Sequence, residues 1–213
     1  MKSLKKNRIL IGIGLLILFV LWTVAVSFID RGQIGPEGTW VGFSALNALV
    51  RDLVGVNMTL YEITDWLGLV PILTAFCFAV LGGVQLIRRK SLVRVDKSIL
   101  ALGIFYFAVI AVYLAFEVLP LNYRPLLIEG RLEASYPSST TLLTLAVMPT
   151  ALMQIRARAK SLALSRFATV AIIAFTAFVV IARVLSAVHW ITDIIGGLLV
   201  SLGLVALYSA VEI

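Results

Sequence analysis

Six apolar stretches recur along the 213 residues, separated by short polar bends. Each comes close to the roughly 20 residues that a helix needs to cross a bilayer. They occupy about residues 8–29, 65–87, 98–117, 140–155, 167–186 and 189–208, and together predict one integral membrane domain over 1–213. The expected fold class is all-α: a membrane six-helix bundle with a short interfacial helix on the outer face between the first two spans. Hydrophobic residues make up 61% of the chain and charged residues only 14%, against about 25% charged in an ordinary soluble domain. Soluble enzymes, transcription factors and disulfide-stapled secreted scaffolds are excluded. The single cysteine, Cys77, lies inside an apolar run and reads as lipid-facing or helix-packing filler, with no internal disulfide open to it.

The net charge of +7 is a statement about orientation. Thirteen of the 18 basic residues cluster in three places: Lys2 to Arg8, Arg88 to Lys97 and Arg156 to Arg166; only Asp96 and Glu212 accompany them. The other five, Arg31, Arg51, Arg124, Arg131 and Arg183, share the alternate bends with nine carboxylates. An excess of Lys and Arg on alternate bends marks the cytoplasmic side. Both termini are therefore expected in the cytoplasm, in a multi-pass protein of the plasma membrane, with no nucleic-acid partner. The first stretch is too long, and too poor in small residues at its end, for a cleaved signal, and is expected to be retained.

Gly12 and Gly14 in the first span suit close helix packing. Phe43, Leu46, Leu49, Val50 and Leu53 recur at helical spacing in the longest external bend, which predicts the interfacial helix. Trp66 stands where an interfacial aromatic belongs. Asn57-Met58-Thr59 fits a glycosylation sequon too short to carry weight. Pro149 is expected to kink the fourth span or disturb one of its turns.

Polar residues gather on the outer side. Between the third and fourth spans lies an external loop, 119–137, carrying Arg124-Pro125, Glu129 and Glu133, and leading into Pro137-Ser138-Ser139-Thr140-Thr141. Arg183, His189 and Asp193 reach the same side from the last two spans. His189 and Asp193 are four residues apart and share a helix face, so the carboxylate can hold one ring nitrogen and leave the other directed into a pocket, as in an activated nucleophile. Arg124 and Arg183 offer guanidinium forks suited to phosphate oxygens. Ser138, Ser139 and Thr140 open a helix whose free amides favour an anion. Taken singly, each has a plain structural reading: an interfacial histidine, a snorkelling arginine, a helix capped by a hydroxyl, solvated loop carboxylates. Together they describe a phosphate site, and one histidine excludes a multi-histidine metal centre. No metal and no cofactor is implied.

These residues resemble the type 2 phosphatidic acid phosphatase superfamily of membrane lipid phosphate phosphatases. Its third motif, Ser-Arg, five residues, His, three residues, Asp, is nearly intact as Ala182-Arg183, His189 and Asp193. The first, Lys, six residues, Arg-Pro, keeps Arg124-Pro125 but has Glu117 for lysine. The second, Pro-Ser-Gly-His, keeps Pro137-Ser138 and has Ser139 and Thr140 for glycine and histidine. The resemblance implies a phosphohistidine mechanism: His189 attacks phosphorus, Asp193 orients it, and Arg124, Ser138 and Arg183, with Ser139 and Thr140, bind the phosphoryl group. The histidine that protonates the leaving group in the family is absent. Glu133, with Glu129 in reserve, is the candidate proton donor, and a diphosphate substrate is the way to need none.

Three readings follow: a hydrolase acting on a lipid phosphate or diphosphate such as a polyprenyl diphosphate; a degenerate member that binds lipid phosphate or assists another membrane protein; and a transporter. The apolar centres of the spans weigh against the transporter. Glu117 is expected to pair with Arg124 or Arg131, because a carboxylate left unpaired beside a phosphate site is costly. The residues say nothing of oligomeric state.

Overall fold

The computed structural model describes residues 2–211; Glu212 lies outside them. Eight α-helices account for most of these residues: α1 Lys2–Phe28, α2 Ser44–Val54, α3 Met58–Leu67, α4 Leu69–Arg89, α5 Lys97–Val118, α6 Ser139–Arg158, α7 Leu162–Ser186 and α8 Ile191–Ser209. The chain is an all-α, multi-pass membrane protein. Five of its helices are long and apolar enough to span a bilayer: Ser3–Phe28, the α3–α4 pair as one unit Met58–Arg89, Lys97–Val118, Leu162–Ser186 and Ile191–Ser209. The α3–α4 unit starts at Met58, about two turns before the expected start at residue 65.

The exception is α6, which the sequence reading counts as a fourth span. Its polar side chains keep it out of the apolar set, and the burial pattern explains them. Thr140, Thr141, Thr144, Thr150 and Gln154 are all buried, because α6 is the central helix, packed on α4, α5, α7 and α8. The outer helices instead turn Leu21, Phe76, Phe107 and Phe167 outwards, as apolar solvent requires. Cys77 is exposed among them. Pro149 does not break α6, which runs through it; Thr150 Oγ1 donates to the carbonyls of Ala146 and Val147 at 2.9 Å.

Small residues let α1, α8 and α6 close on one another. A Cβ on Gly12 would stand 2.7 Å from Leu207 and 2.9 Å from the Gly203 carbonyl. Gly14, by contrast, has nothing within 4 Å of its Cβ position and plays no part in this packing. Ser201 Oγ bonds the Leu142 carbonyl at 3.1 Å, joining α8 to α6. At the basic end, Arg8 donates to the Ser209 carbonyl (2.6 Å), and Arg89 (2.9 Å) and Arg158 (3.5 Å) reach Asp96. Hydrogen bonds from Arg89 and then Gln85 hold the Asp96 carboxyl below its ordinary pKa. The opposite end carries the start of α3, α6 and α8, the end of α7 and all of α2.

Candidate active site

Residues 119–137 form a folded ribbon. Arg124 N donates to the Glu133 carbonyl (3.0 Å), Ser135 N to the Asn122 carbonyl (2.9 Å), and Ile128 and Arg131 exchange both backbone bonds. The tip is Glu129-Gly130, both at positive φ (48° and 74°), the geometry of a two-residue hairpin turn in which glycine removes the steric penalty. Glu129 is therefore exposed at the tip. A cis Tyr136–Pro137 peptide leads from the ribbon into α6. Tyr136 is buried, stacks with Phe19 and donates or accepts a 2.7 Å bond with Thr23, and burial pushes its hydroxyl pKa up.

The ribbon lies over the start of α8. His189, buried, sets Nδ1 3.2 Å from the Ser135 carbonyl and 3.8 Å from the Asp193 carboxylate. The closer partner is thus a backbone carbonyl, which fixes the Nδ1–H tautomer and leaves Nε2, fully buried, with no hydrogen bond in the protein. Asp193 accepts from Trp190 N at 3.0 Å and from Asn122 Nδ2 at 3.2 Å, and its carbonyl accepts from Ser138 N at 3.0 Å. Asp193 is therefore a knot between ribbon, α6 and α8 as well as a neighbour of the histidine. Burial first, then the charges of Arg124 and Arg183, push the His189 pKa well below its ordinary value. The imidazole is neutral at neutral pH, with a lone pair on Nε2.

Two guanidiniums face this lone pair's surroundings. Arg183, wholly buried near the end of α7, donates to Thr140 Oγ1, to Asp65 Oδ1 (3.2 Å) and to the Tyr61 carbonyl (3.5 Å). Arg124 stands 2.9 Å from the Glu133 carboxylate, off the N–H direction. Both lie over one ring, that of Tyr61, at 5.4 Å for Arg124 and 5.0 Å for Arg183. Arg124 Nε and Nη1, Arg183 Nε and Ser138 Oγ are buried without a hydrogen bond in the protein. Ser138 occupies the N-cap of α6 yet does not cap it with its side chain. Unpaired buried donors are rare because each is costly. Four around one neutral histidine outline a receptor for oxygens.

The structure thus brings Arg124, Ser138, Thr140, Arg183, His189 and Asp193 to one end of the bundle, with Ser139 half-buried in the first turn of α6. Glu117 departs from its expectation. It is exposed on the last turn of α5 and forms no ion pair among the described residues, whereas Arg124 takes Glu133 instead. The ribbon's backbone pairing places Arg124 directly across from Glu133, so the nearer carboxylate wins. Tyr61, Asp65, Asn122 and Ser135 are site residues that sequence reasoning missed. For Tyr61 and Asp65 a signal existed: they are four apart, as His189 and Asp193 are.

Residues 118–212 match the family model of the PAP2 superfamily. Across that segment, somewhat under half of the chain, the sequence is similar to the PAP2 superfamily. The matched segment begins one residue after Glu117, so the PAP2 likeness starts beyond the altered lysine position and covers the ribbon and α6 to α8. A crystal structure of a transmembrane PAP2-type phosphatidylglycerolphosphate phosphatase from Bacillus subtilis shares the fold, with a TM-score of 0.61, 18% identity and 93% of each chain covered. No curated protein matches the chain. The likeness of fold takes in α1–α5 as well, which the family model does not reach.

Proposed function

We propose that the protein is a membrane lipid phosphatase that works through a phosphohistidine and prefers a diphosphate such as a polyprenyl diphosphate. The observation that carries this reading is the neutral His189 whose Nε2 is unpartnered beside the free donors of Arg124, Arg183 and Ser138. In the first step Nε2 forms a bond to phosphorus as the bond to the leaving oxygen breaks; the imidazolium that develops keeps its Nδ1–H on the Ser135 carbonyl, with Asp193 nearby to offset the charge. In the second, water adds to phosphorus, the N–P bond breaks and inorganic phosphate leaves. Arg124 and Arg183 stabilise the equatorial oxygens throughout.

The preference for a diphosphate follows from where the carboxylates stand. Glu133 is engaged by Arg124 and Glu129 is at an exposed tip, so neither is placed to protonate a leaving group. A diphosphate expels a phosphate monoester, which departs without a proton where an alkoxide cannot. In the membrane we read α6 as a further crossing, fourth in chain order and buried by its neighbours, and α2 as lying in the interface with Leu46, Leu49 and Leu53 outward. The basic end is cytoplasmic and the site external.

The test is phosphate release by the purified protein from a polyprenyl diphosphate, a polyprenyl monophosphate and a phosphatidate, beside His189→Ala. Diphosphate turnover abolished by His189→Ala is expected. The competing, non-catalytic reading draws on Thr140, whose hydroxyl is already taken by Arg183; lipid phosphate binding with no release from any substrate would establish it.

A further inference from the structure

Both site arginines lie over the Tyr61 ring. It stands on the first turns of α3, half-buried, with a guanidinium on it at 5.4 Å and another at 5.0 Å. No hydrogen bond engages its hydroxyl among the described residues, while both guanidiniums lie over its ring. Stacking on a ring places two cations near each other at lower cost, since each is attracted to the π-face. That accounts for the ring and leaves the hydroxyl unexplained.

The neighbourhood gives the hydroxyl a task. Arg183 bonds Thr140 and the Tyr61 backbone at once, and a Cβ on Gly68, at the end of α3, would lie 3.7 Å from the Thr140 methyl. Helix α3 is therefore pressed against the residue that occupies the absent histidine's position. Of the candidate proton donors, Thr140 Oγ1 is held as an acceptor by Arg183, Glu133 is paired with Arg124, and Glu129 is exposed. Tyr61 combines a transferable proton, an uncommitted oxygen and contact with both arginines of the site.

We propose that the Tyr61 hydroxyl donates the proton to the leaving-group oxygen, which makes it a catalytic residue of the phosphatase reading on which this assignment rests. As His189 Nε2 bonds phosphorus and the P–O bond to the lipid breaks, the phenolic proton passes to the departing oxygen. The phenolate left behind is balanced by Arg124 and Arg183. It recovers a proton from the water whose oxygen adds to phosphorus as the N–P bond breaks. A phenol is a weaker acid than a histidinium, so the diphosphate preference remains while monophosphates become reachable.

The experiment compares kcat/KM of the full chain and its Tyr61→Phe and Tyr61→Leu variants on a polyprenyl monophosphate, the matching diphosphate and p-nitrophenyl phosphate, whose leaving group needs no proton. Tyr61→Phe keeps the ring and should lower monophosphate turnover by on the order of 10²-fold, while the other two substrates change by less than about threefold. Tyr61→Leu should impair all three. Equal loss on all substrates in Tyr61→Phe, or none on any, overturns the assignment and leaves the phosphatase reading intact. A parent enzyme that turns over diphosphate but no monophosphate overturns it too. A parent inactive on all three removes the phosphatase reading and this assignment with it.

Discussion

His189 is the only histidine in the chain, so its protonation can be followed without ambiguity. Burial, Arg124 and Arg183, in that order, hold its pKa well below the ordinary 6.5. A base whose folded pKa is depressed takes up its proton earlier in the unfolded chain than in the native one. Native stability is therefore complete above pH 6.5 and falls as the pH drops through 6.5 towards the folded value. One proton corresponds to about 1.4 kcal/mol per pH unit between 6.5 and the folded value. The assay is the imidazole resonance of ¹⁵N-histidine-labelled protein in nanodiscs, titrated from pH 8 to pH 4. The neutral Nδ1–H tautomer should persist below pH 6.5. Arg124→Gln should raise the pKa, but not to 6.5, because burial is the larger cause. A resonance titrating at or above 6.5 in the parent would refute the reasoning and the neutral nucleophile with it.

Four further outcomes are expected. Gly196→Ala places a Cβ 2.7 Å from the buried Tyr136 ring, a degree of overpacking that costs about 1–3 kcal/mol; thermal unfolding should show the loss, and activity should fall with it because Tyr136 adjoins Pro137-Ser138. Thr140→Val removes an acceptor from the buried Arg183 and should cost about 1.5–3 kcal/mol, with a higher KM rather than a lower kcat. Glu133→Gln releases Arg124 from a partly exposed pair; stability should move by under about 1 kcal/mol and KM should fall or hold, whereas loss of all turnover would make Glu133 the acid. In a Cys77→Ala background, Leu92→Cys should resist a membrane-impermeant thiol reagent in intact cells and Glu129→Cys should react, since both positions are exposed; the reverse pattern would invert the topology.

Five of the six expected spans were legible because apolar length acts through bulk transfer free energy, which composition carries directly. The gathering of Arg183, His189 and Asp193 was legible from their order and side-chain chemistry, although His189 precedes α8 and does not share a face of it with Asp193 as their spacing predicts. The arrangement was illegible where the partner is a backbone atom. Nothing in the identity of Ser135 announces that its carbonyl will hold the His189 ring. Asp65 was read as an external carboxylate at the edge of a span, because the α3–α4 unit starts earlier than hydropathy alone suggests. Glu117 misled for the opposite reason. A motif position drew attention to it, while the pairing of Arg124 was settled by ribbon register, which places Glu133 opposite.

The polarity of α6 also bears on how the chain is made. A segment carrying Thr140, Thr141, Thr144, Thr150 and Gln154 gains little by leaving the translocon for lipid alone, since each hydroxyl or amide facing hydrocarbon is penalised. Its burial comes chiefly from α8 and α7, which are synthesised after it. On the proposal that α6 is a crossing, its insertion is a joint event with the two helices that follow. A nascent chain stopped before residue 191 would hold a poorly anchored helix with its threonines uncovered, a state for membrane quality control to clear.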